Sequence, residues 1–417
     1  MPLLLYGARQ VGKTYLIREF GKNHYSKIAY INLETDPIAS AWFEDNIEPA
    51  RIVMLLEAHI KSRIIPQETL IIFDEVGSCE RALTSLKYFN ENAPQYHIAA
   101  AGSLLGVAIK REKYSFPVGN VDSKTLYPLT FEEFLWSQGE EILTEEIKAG
   151  FKANLPLHPS LHKRALDMYK IYLIVGGMPA SVLEYTNTNS LVTVPGVQNR
   201  IIGDYIADMA KYASNSEAVK IRAAYNSVPA QLAKDNRKFQ YKIIQRGGSN
   251  SIFGEAIDWL ETAKVVNKCH NLTIPSIPLE VYKDLTSFKL YMGDTGLLTM
   301  TSKTPQEIVL HLDETDNRFL GALAENYVSQ HFAAQGKSLF YWRSDSKNGG
   351  QAEIDFVLQE GANVIPVEVK AALHVTSRSL SVFTKKYAPP YSIRMSCKNF
   401  GFANGIKSLP LYAAFCL

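Results

Sequence analysis

Gly7-Ala8-Arg9-Gln10-Val11-Gly12-Lys13-Thr14 follows the pattern G-x-x-x-x-G-K-[ST]. Glycines at both ends let a backbone turn tightly and aim its N–H groups at phosphate oxygens, and the helix behind the loop adds its positive end. Lys13 has the reach for the β- and γ-phosphates, and the Thr14 hydroxyl suits Mg²⁺. Tyr15 follows directly and belongs to the same candidate nucleotide-binding set. Sixty residues beyond Thr14, Leu70-Ile-Ile-Phe-Asp74-Glu75 is an apolar run ending in two carboxylates. Asp74 there would hold the Mg²⁺ shell, and Glu75 would polarise an attacking water. A third apolar run, His97-Ile-Ala-Ala-Ala-Gly102-Ser103, ends in a hydroxyl. Ser103 is either a water-orienting residue beside the γ-phosphate or a simple strand-end cap. Lys110, Arg111 and Lys113 come next. One of them could act across the interface of a homo-oligomer as an arginine finger, against the plainer account of a solvated loop.

A second set of acids lies near the other end. Val364-Ile-Pro-Val-Glu368-Val-Lys370 places Glu368 and Lys370 on one face of a strand, and Glu353-Ile-Asp355 puts two carboxylates on one face of a neighbouring strand. Asp355 and Glu368 would hold Mg²⁺ or Mn²⁺, with Lys370 orienting a water and Glu325 upstream on a helix. The competing account is an ordinary hairpin whose charges are solvated or paired. From Ala371 to Leu417 there are six cations (Arg378, Lys385, Lys386, Arg394, Lys398, Lys407) and no Asp or Glu, which suits a polyanion.

These residues need elements to position them. Leu3–Tyr6, Ile28–Leu33, Leu70–Phe73 and His97–Ala101 are strand-length apolar runs, with helical patterns over Thr14–Phe20 and Arg51–Ile64 between them. That alternation predicts a parallel α/β sheet over residues 1–155. Residues 156–312 are mainly helical, with Val175-Gly-Gly-Met-Pro179 as a break. There the order helix (Ile221–Leu232), helix (Ser251–Ala263), strand (Val265–Leu272), strand (Lys289–Met292) fits a winged helix. Five cations against Asp235 between Gln231 and Arg246 give that module either a phosphate-touching or a merely solvated face. Residues 313–417 predict a third α/β domain. It has an amphipathic helix Leu320–Ala334, strands Ser338–Arg343, Glu353–Gln359 and Val364–Val369, and turns at Asn348-Gly-Gly and Glu360-Gly-Ala.

A length of 417 residues implies two to three domains, and 46% apolar with 21% charged residues excludes disorder or a coiled coil as a description of the whole. A net charge of +2 neither demands nor excludes nucleic acid. The apolar runs are too short for a membrane span and no secretory signal is seen. Four cysteines stand without metal-ligand spacing, so a cytoplasmic, reducing location is expected.

End to end, the chain resembles prokaryotic AAA-type P-loop ATPases carrying a C-terminal domain of unknown function (DUF4143-like) that itself resembles PD-(D/E)xK nucleases. The resemblance rests on the phosphate loop, Phe73-Asp-Glu-Val76, Ala101-Gly-Ser-Leu-Leu105, Leu126-Tyr-Pro-Leu-Thr-Phe-Glu-Glu-Phe-Leu135 and Val175-Gly-Gly-Met-Pro179. It continues through Asp208-Met-Ala-Lys-Tyr212, Ser227-Val-Pro-Ala-Gln-Leu232, Phe288-Lys-Leu-Tyr-Met-Gly-Asp-Thr-Gly-Leu297, Glu325-Asn-Tyr327, Glu353-Ile-Asp355 and Val367-Glu-Val-Lys370. It implies ATP and Mg²⁺ at Lys13, Thr14, Asp74 and Glu75. It also implies a restriction-endonuclease-like site at Asp355, Glu368 and Lys370, supported by Glu325. Two features depart from the family pattern: a stretch near the adenine that precedes the first strand in the family is not in this sequence, and Asn120 stands where a basic residue is expected. The reading is an ATPase coupled to DNA binding or cleavage. The alternative is a nucleotide-dependent switch whose C-terminal domain binds a protein partner without nuclease activity. A small-molecule kinase fits less well, because nothing resembles a lid or an acceptor site.

Overall fold

The computed structural model describes residues 1–103, 119–235, 237–312, 317–344, 352–371 and 378–417. Lys110, Arg111, Lys113 and the Asn348-Gly-Gly turn lie outside them. The chain divides into two units. The first comprises Met1–Tyr127, Tyr205–Val219 and Asp258–Lys264, and the second the remainder.

In the first unit, β1 (Leu3–Gly7), β2 (Lys27–Asn32), β3 (Thr69–Asp74), β4 (His97–Ala101) and β5 (Asp122–Leu126) form a parallel sheet in the order β2-β3-β4-β1-β5. All six residues of β3 are buried, as a central strand covered on both faces requires. Ile17 of the helix Lys13–His24 packs with Leu5, Leu70 and Ile72 in one core. The helices Pro37–Asp45, Pro49–Ile60 and Glu80–Asn92 contribute Phe43, Leu56 and Phe89 to another, around Leu4, Ile71 and Phe73. Four strands match the apolar runs. The fifth, Asp-Ser-Lys-Thr-Leu, has no such run because it is an edge strand with four exposed residues. Ile64, expected within a helix, falls beyond one that ends at Ile60 and is followed by Lys61 at φ 53°.

The second unit holds two sheets. One has the order β7 (Lys283–Met292), β6 (Val266–Leu272), β8 (Phe340–Arg343), β9 (Glu353–Ile354). The other runs β10 (Phe356–Glu360), β11 (Asn363–Val369), β12 (Ser392–Ser396), β14 (Ile406–Pro410), β13 (Gly401–Ala403). β6 and β7 pair antiparallel after the helices Asn215–Leu232 and Asn250–Thr262, in the order expected of a winged helix. The hairpin is nevertheless half of a sheet that β8 and β9 complete. The single strand expected over 353–359 is two: Glu353 pairs with Arg343 in the first sheet and Phe356 with Val367 in the second, and the break falls at Asp355.

The glycine pair in Val175-Gly-Gly-Met-Pro179 is compulsory. Gly176 has φ +74°, and a Cβ on Gly177 would stand 2.0 Å from the Leu129 carbonyl oxygen. The Gly177 N–H donates to Asp294 (2.6 Å), which also caps the helix Thr295–Thr301 through Leu297 N–H.

The helix Arg318–Ala334 is buried on nearly every side rather than amphipathic. Three of its inward polar side chains are matched: Asn326 accepts from Met292 N–H, Gln330 from Thr295, and His331 Nε2 from Phe131 N–H at 2.8 Å. Because Nε2 accepts, the proton sits on Nδ1, 2.8 Å from the Tyr327 carbonyl. Burial pushes the imidazole down to about 4 from 6.5. The unfolded chain therefore binds the extra proton first, so this group's contribution is full above pH 6.5 and is lost as pH falls towards 4. Asp294, raised to about 6 by burial, acts in the opposite sense over a similar range. The test is therefore a difference: between pH 7 and 4.5 the urea midpoint of the wild type should fall further than that of His331→Gln, and equal falls would refute the assignment.

Candidate nucleotide site

The loop after β1 has the shape of an anion cradle. Gly7 (φ +148°), Gln10 (φ 65°) and Gly12 (φ +95°) all take positive φ, the backbone turns from which an anion-binding loop is built. Gly7 admits no substitute, since a Cβ there would lie 2.2 Å from the Leu126 carbonyl oxygen of β5. Gly12 precedes the helix Lys13–His24 without a side-chain cap, so the first amides of that helix remain available to a ligand. Ala8 and Val11 are buried and anchor the loop.

Lys13 lies folded into the cradle, its Nζ donating to the Gly7 and Ala8 carbonyls at 3.1 and 2.8 Å. Burial drags its ammonium down to about 8, against the pull of Glu75 and Asp74. A buried, partly desolvated ammonium whose hydrogen bonds among the described residues go to carbonyls gains most when an anion arrives. The Thr14 hydroxyl donates to both Asp74 oxygens, at 3.1 and 2.9 Å. Thr14 and Asp74, sixty residues apart, therefore stand together as the oxygen pair that would hold Mg²⁺ in a nucleotide complex. The Tyr30 hydroxyl donates to the same carboxylate at 2.8 Å and orients it from β2. Glu75 follows at φ 48°, and burial raises its carboxyl while Lys13 opposes that rise. A carboxylate lifted in this way is a better proton acceptor for a water. Ser103 is buried just beyond β4, and Tyr15 is 72% exposed. Asn120 accepts from the Asn90 side-chain amide at 2.9 Å.

Four further residues of the same unit surround the loop, none of which was expected at the nucleotide site from the sequence. The Arg9 guanidinium pairs with Asp208 and lies 3.9 Å from Glu34, Lys211 also pairs with Glu34, and the Tyr205 hydroxyl donates to the Arg9 carbonyl at 3.1 Å. Asp208 and Lys211 fall within Asp208-Met-Ala-Lys-Tyr212. Charges recurring every three residues on a helix were the available signal.

The C-terminal carboxylates are distributed differently from the expectation. Glu325 is 1% exposed. It pairs with Arg237, lies 3.6 Å from the Lys289 ammonium and accepts from the Tyr291 hydroxyl at 2.9 Å. Lys289, wholly buried, reaches Glu353 at 2.6 Å and lies over the Tyr341 ring. Asp355 accepts from Val369 N–H at 2.8 Å, which ties it to the strand carrying Glu368. Glu368 is buried between Lys370 and Arg394, each at 3.6 Å. The structure thus brings Asp355, Glu368 and Lys370 to one region of β10–β12 and surrounds Glu325 with the chain's own cations. Among the described residues no group of three His, Cys, Asp or Glu side chains is arranged to hold a metal ion. Arg237, counted above with a basic surface, is largely buried against Glu325.

Residues 1–135 match a family model described as an AAA domain. Residues 166–307 match a domain of unknown function (DUF8612), and residues 320–414 another (DUF4143). No curated protein matches the chain. Among solved structures it is similar to a Walker-type ATPase of Pyrococcus abyssi at 12% identity, covering 72% of this chain and 90% of that one with a TM-score of 0.41. It is also similar to the ORC2 protein of Aeropyrum pernix. The ADPNP–ADP complexes give 12% identity, 77% and 87% coverage and TM-score 0.37, and the ADP form 13%, 78% and 88%, and 0.30. Those likenesses are distant; the family match and the observed strand order carry the assignment. Among the described residues no helix is long and apolar enough to cross a membrane. With its parallel sheet, phosphate loop and paired Thr14 and Asp74, the segment 1–135 has a P-loop NTPase fold and is similar to the AAA domain whose model it matches.

Proposed function

We propose that this protein binds ATP with Mg²⁺ and hydrolyses it at the first unit. The observation that carries this is the convergence of Lys13, Thr14, Asp74 and Glu75 from β1, the following helix and β3 on one cradle. Lys13 and the loop amides bind the phosphates, Thr14 and Asp74 hold the metal, and Glu75 takes a proton from the attacking water. Ser103 stands at the end of β4 as a second water-orienting group. Mg²⁺ held there would neutralise part of the charge on the phosphates. Replacing Glu75 with glutamine should lower the turnover number ~100-fold or more while nucleotide affinity stays within a few-fold, because the amide no longer accepts a proton. Steady-state phosphate release alongside equilibrium nucleotide binding measures both. Unchanged turnover would remove Glu75 from the chemistry.

Two outputs for the second unit follow. Asp355, Glu368 and Lys370 support metal-dependent cleavage of DNA, with Mg²⁺ or Mn²⁺. Glu325 and Glu353, saturated by Arg237 and Lys289, favour the second reading, a nucleotide-dependent switch whose C-terminal region binds a protein partner. A panel of linear, nicked, branched and single-stranded nucleic acids, with either metal and with or without ATP, separates them. Cleavage that disappears in Asp355→Ala supports the nuclease reading. No cleavage by protein that hydrolyses ATP supports the switch.

A further inference from the structure

Arg9 is the second cation of the phosphate loop, beside Lys13. It sits two residues beyond Gly7 and four before Lys13, on a loop built to receive a polyanion. Its guanidinium, one-third exposed, is held by Asp208 and lies within 3.9 Å of Glu34, while its carbonyl accepts from the Tyr205 hydroxyl. Asp208 is 3% exposed, and its second oxygen is buried without a hydrogen-bond partner among the described residues. Lys211 pairs with Glu34 and adds to the field at Asp208. The Arg9 charge is felt at both Lys13 and Glu75, and the Asp208 charge at Lys13, so the clamp lies within electrostatic reach of the catalytic groups.

The charges around the cradle are Lys13, Arg9 and Lys211 against Asp74, Glu75, Glu34 and Asp208. A triphosphate entering this ring meets Asp208 and Glu34 as like charges and Arg9 as the one cation already on the loop besides Lys13. Guanidinium binds phosphate oxygens through two parallel N–H bonds, a better partner than a crowded carboxylate edge.

We propose that Arg9 is a further catalytic residue of the ATPase, held by Asp208 and Glu34 in the absence of a triphosphate and transferred to the terminal phosphate when ATP binds. It supplies from within the chain the transition-state charge that many phosphate-loop enzymes take from a neighbouring subunit. Asp208 is then a positioning residue that weakens triphosphate binding by the cost of releasing Arg9, and diphosphate binding leaves the clamp closed. The inference rests on the ATPase reading above.

The test compares affinities for ADP and for a slowly hydrolysed ATP analogue, with turnover, in the purified 417-residue chain. Arg9→Ala should leave ADP affinity within ~3-fold, weaken the triphosphate analogue ~10-fold or more, and lower turnover ~1000-fold, the lower range for an arginine acting on a transferring phosphoryl group. Asp208→Asn should strengthen the analogue several-fold with ADP unchanged, and Arg9→Lys should recover part of the turnover. Should Asp208→Asn fail to fold, Glu34→Gln, at a partly exposed position, replaces it and should move the triphosphate-to-ADP affinity ratio in the same direction. A merely structural clamp would lower both affinities and the melting temperature together, with that ratio unchanged, and would overturn the inference. Wild-type protein that binds no nucleotide would instead sink the ATPase reading itself.

Discussion

Lys13→Ala is expected to abolish ATP hydrolysis, by at least ~100-fold, while the fold survives. The Lys13 Nζ donates to the Gly7 and Ala8 carbonyls, and the residue is 7% exposed. Removing it releases two loop carbonyls and costs about 1–2 kcal/mol, a modest sum beside the cores around Phe73 and Leu70. What the variant cannot replace is the mobile positive charge. The loop amides and the helix end still attract phosphate, so weak nucleotide binding should persist, with far less stabilisation of charge building up on the transferring group. The pattern to look for is a nearly unchanged far-ultraviolet spectrum and melting temperature together with phosphate release at background level. Turnover within ten-fold of wild type would take the loop out of the chemistry, and with it the roles of Thr14, Asp74 and Glu75.

The phosphate loop, β3 and β4 were legible because each part is local. The loop motif is contiguous, and buried parallel strands read as unbroken apolar runs. β5 was not legible, since its contribution to the sheet is backbone pairing with β1 while its side chains face water. The Arg9 clamp was illegible for another reason: its two halves lie 199 residues apart, and nothing in the sequence states that Tyr205–Tyr212 returns to the loop. In the second unit the helix 318–334 was placed to within two residues, yet its character was misjudged. Glu325, Asn326, Gln330 and His331 look like a solvated face by residue type. They are instead buried and matched one by one to Arg237, Met292, Thr295 and Phe131. Residue type reports the cost of burying a group, and only the tertiary fold reports whether a partner meets that cost. The same distinction explains Glu353 and Asp355. Alternation puts them on one face of a strand, but the strand breaks between two sheets at Asp355.

The largest stability effect should come from Glu325→Gln, with a loss of about 3–5 kcal/mol, the usual cost of breaking a buried ion pair by removing one partner. Glu325 binds Arg237 with one oxygen, and with the other it accepts from Tyr291 and faces Lys289. The amide keeps the volume and can still accept from Tyr291. It leaves two cations with only the Glu353 carboxylate on Lys289 to balance them. Lys289 cannot swing to solvent, because it is wholly buried beneath Tyr341 on β7. The loss should therefore appear as faster amide exchange in β6, β7 and the helix 318–334, with exchange in β1–β4 unchanged. Pairing the substitution with Arg237→Met should cost less than the two changes summed, since the second removes the charge that the first leaves unmatched. A metal site makes the opposite forecast. If Glu325 were a ligand, the wild type would bind Mn²⁺ and Glu325→Gln would bind it more weakly, and removing a repulsive carboxylate from a metal-free acidic cluster would leave stability unchanged or raised. Thermal denaturation and Mn²⁺ titration of the same two proteins decide between them, because a buried ion cluster and a cation site differ in the sign of the stability change and in whether Mn²⁺ matters at all.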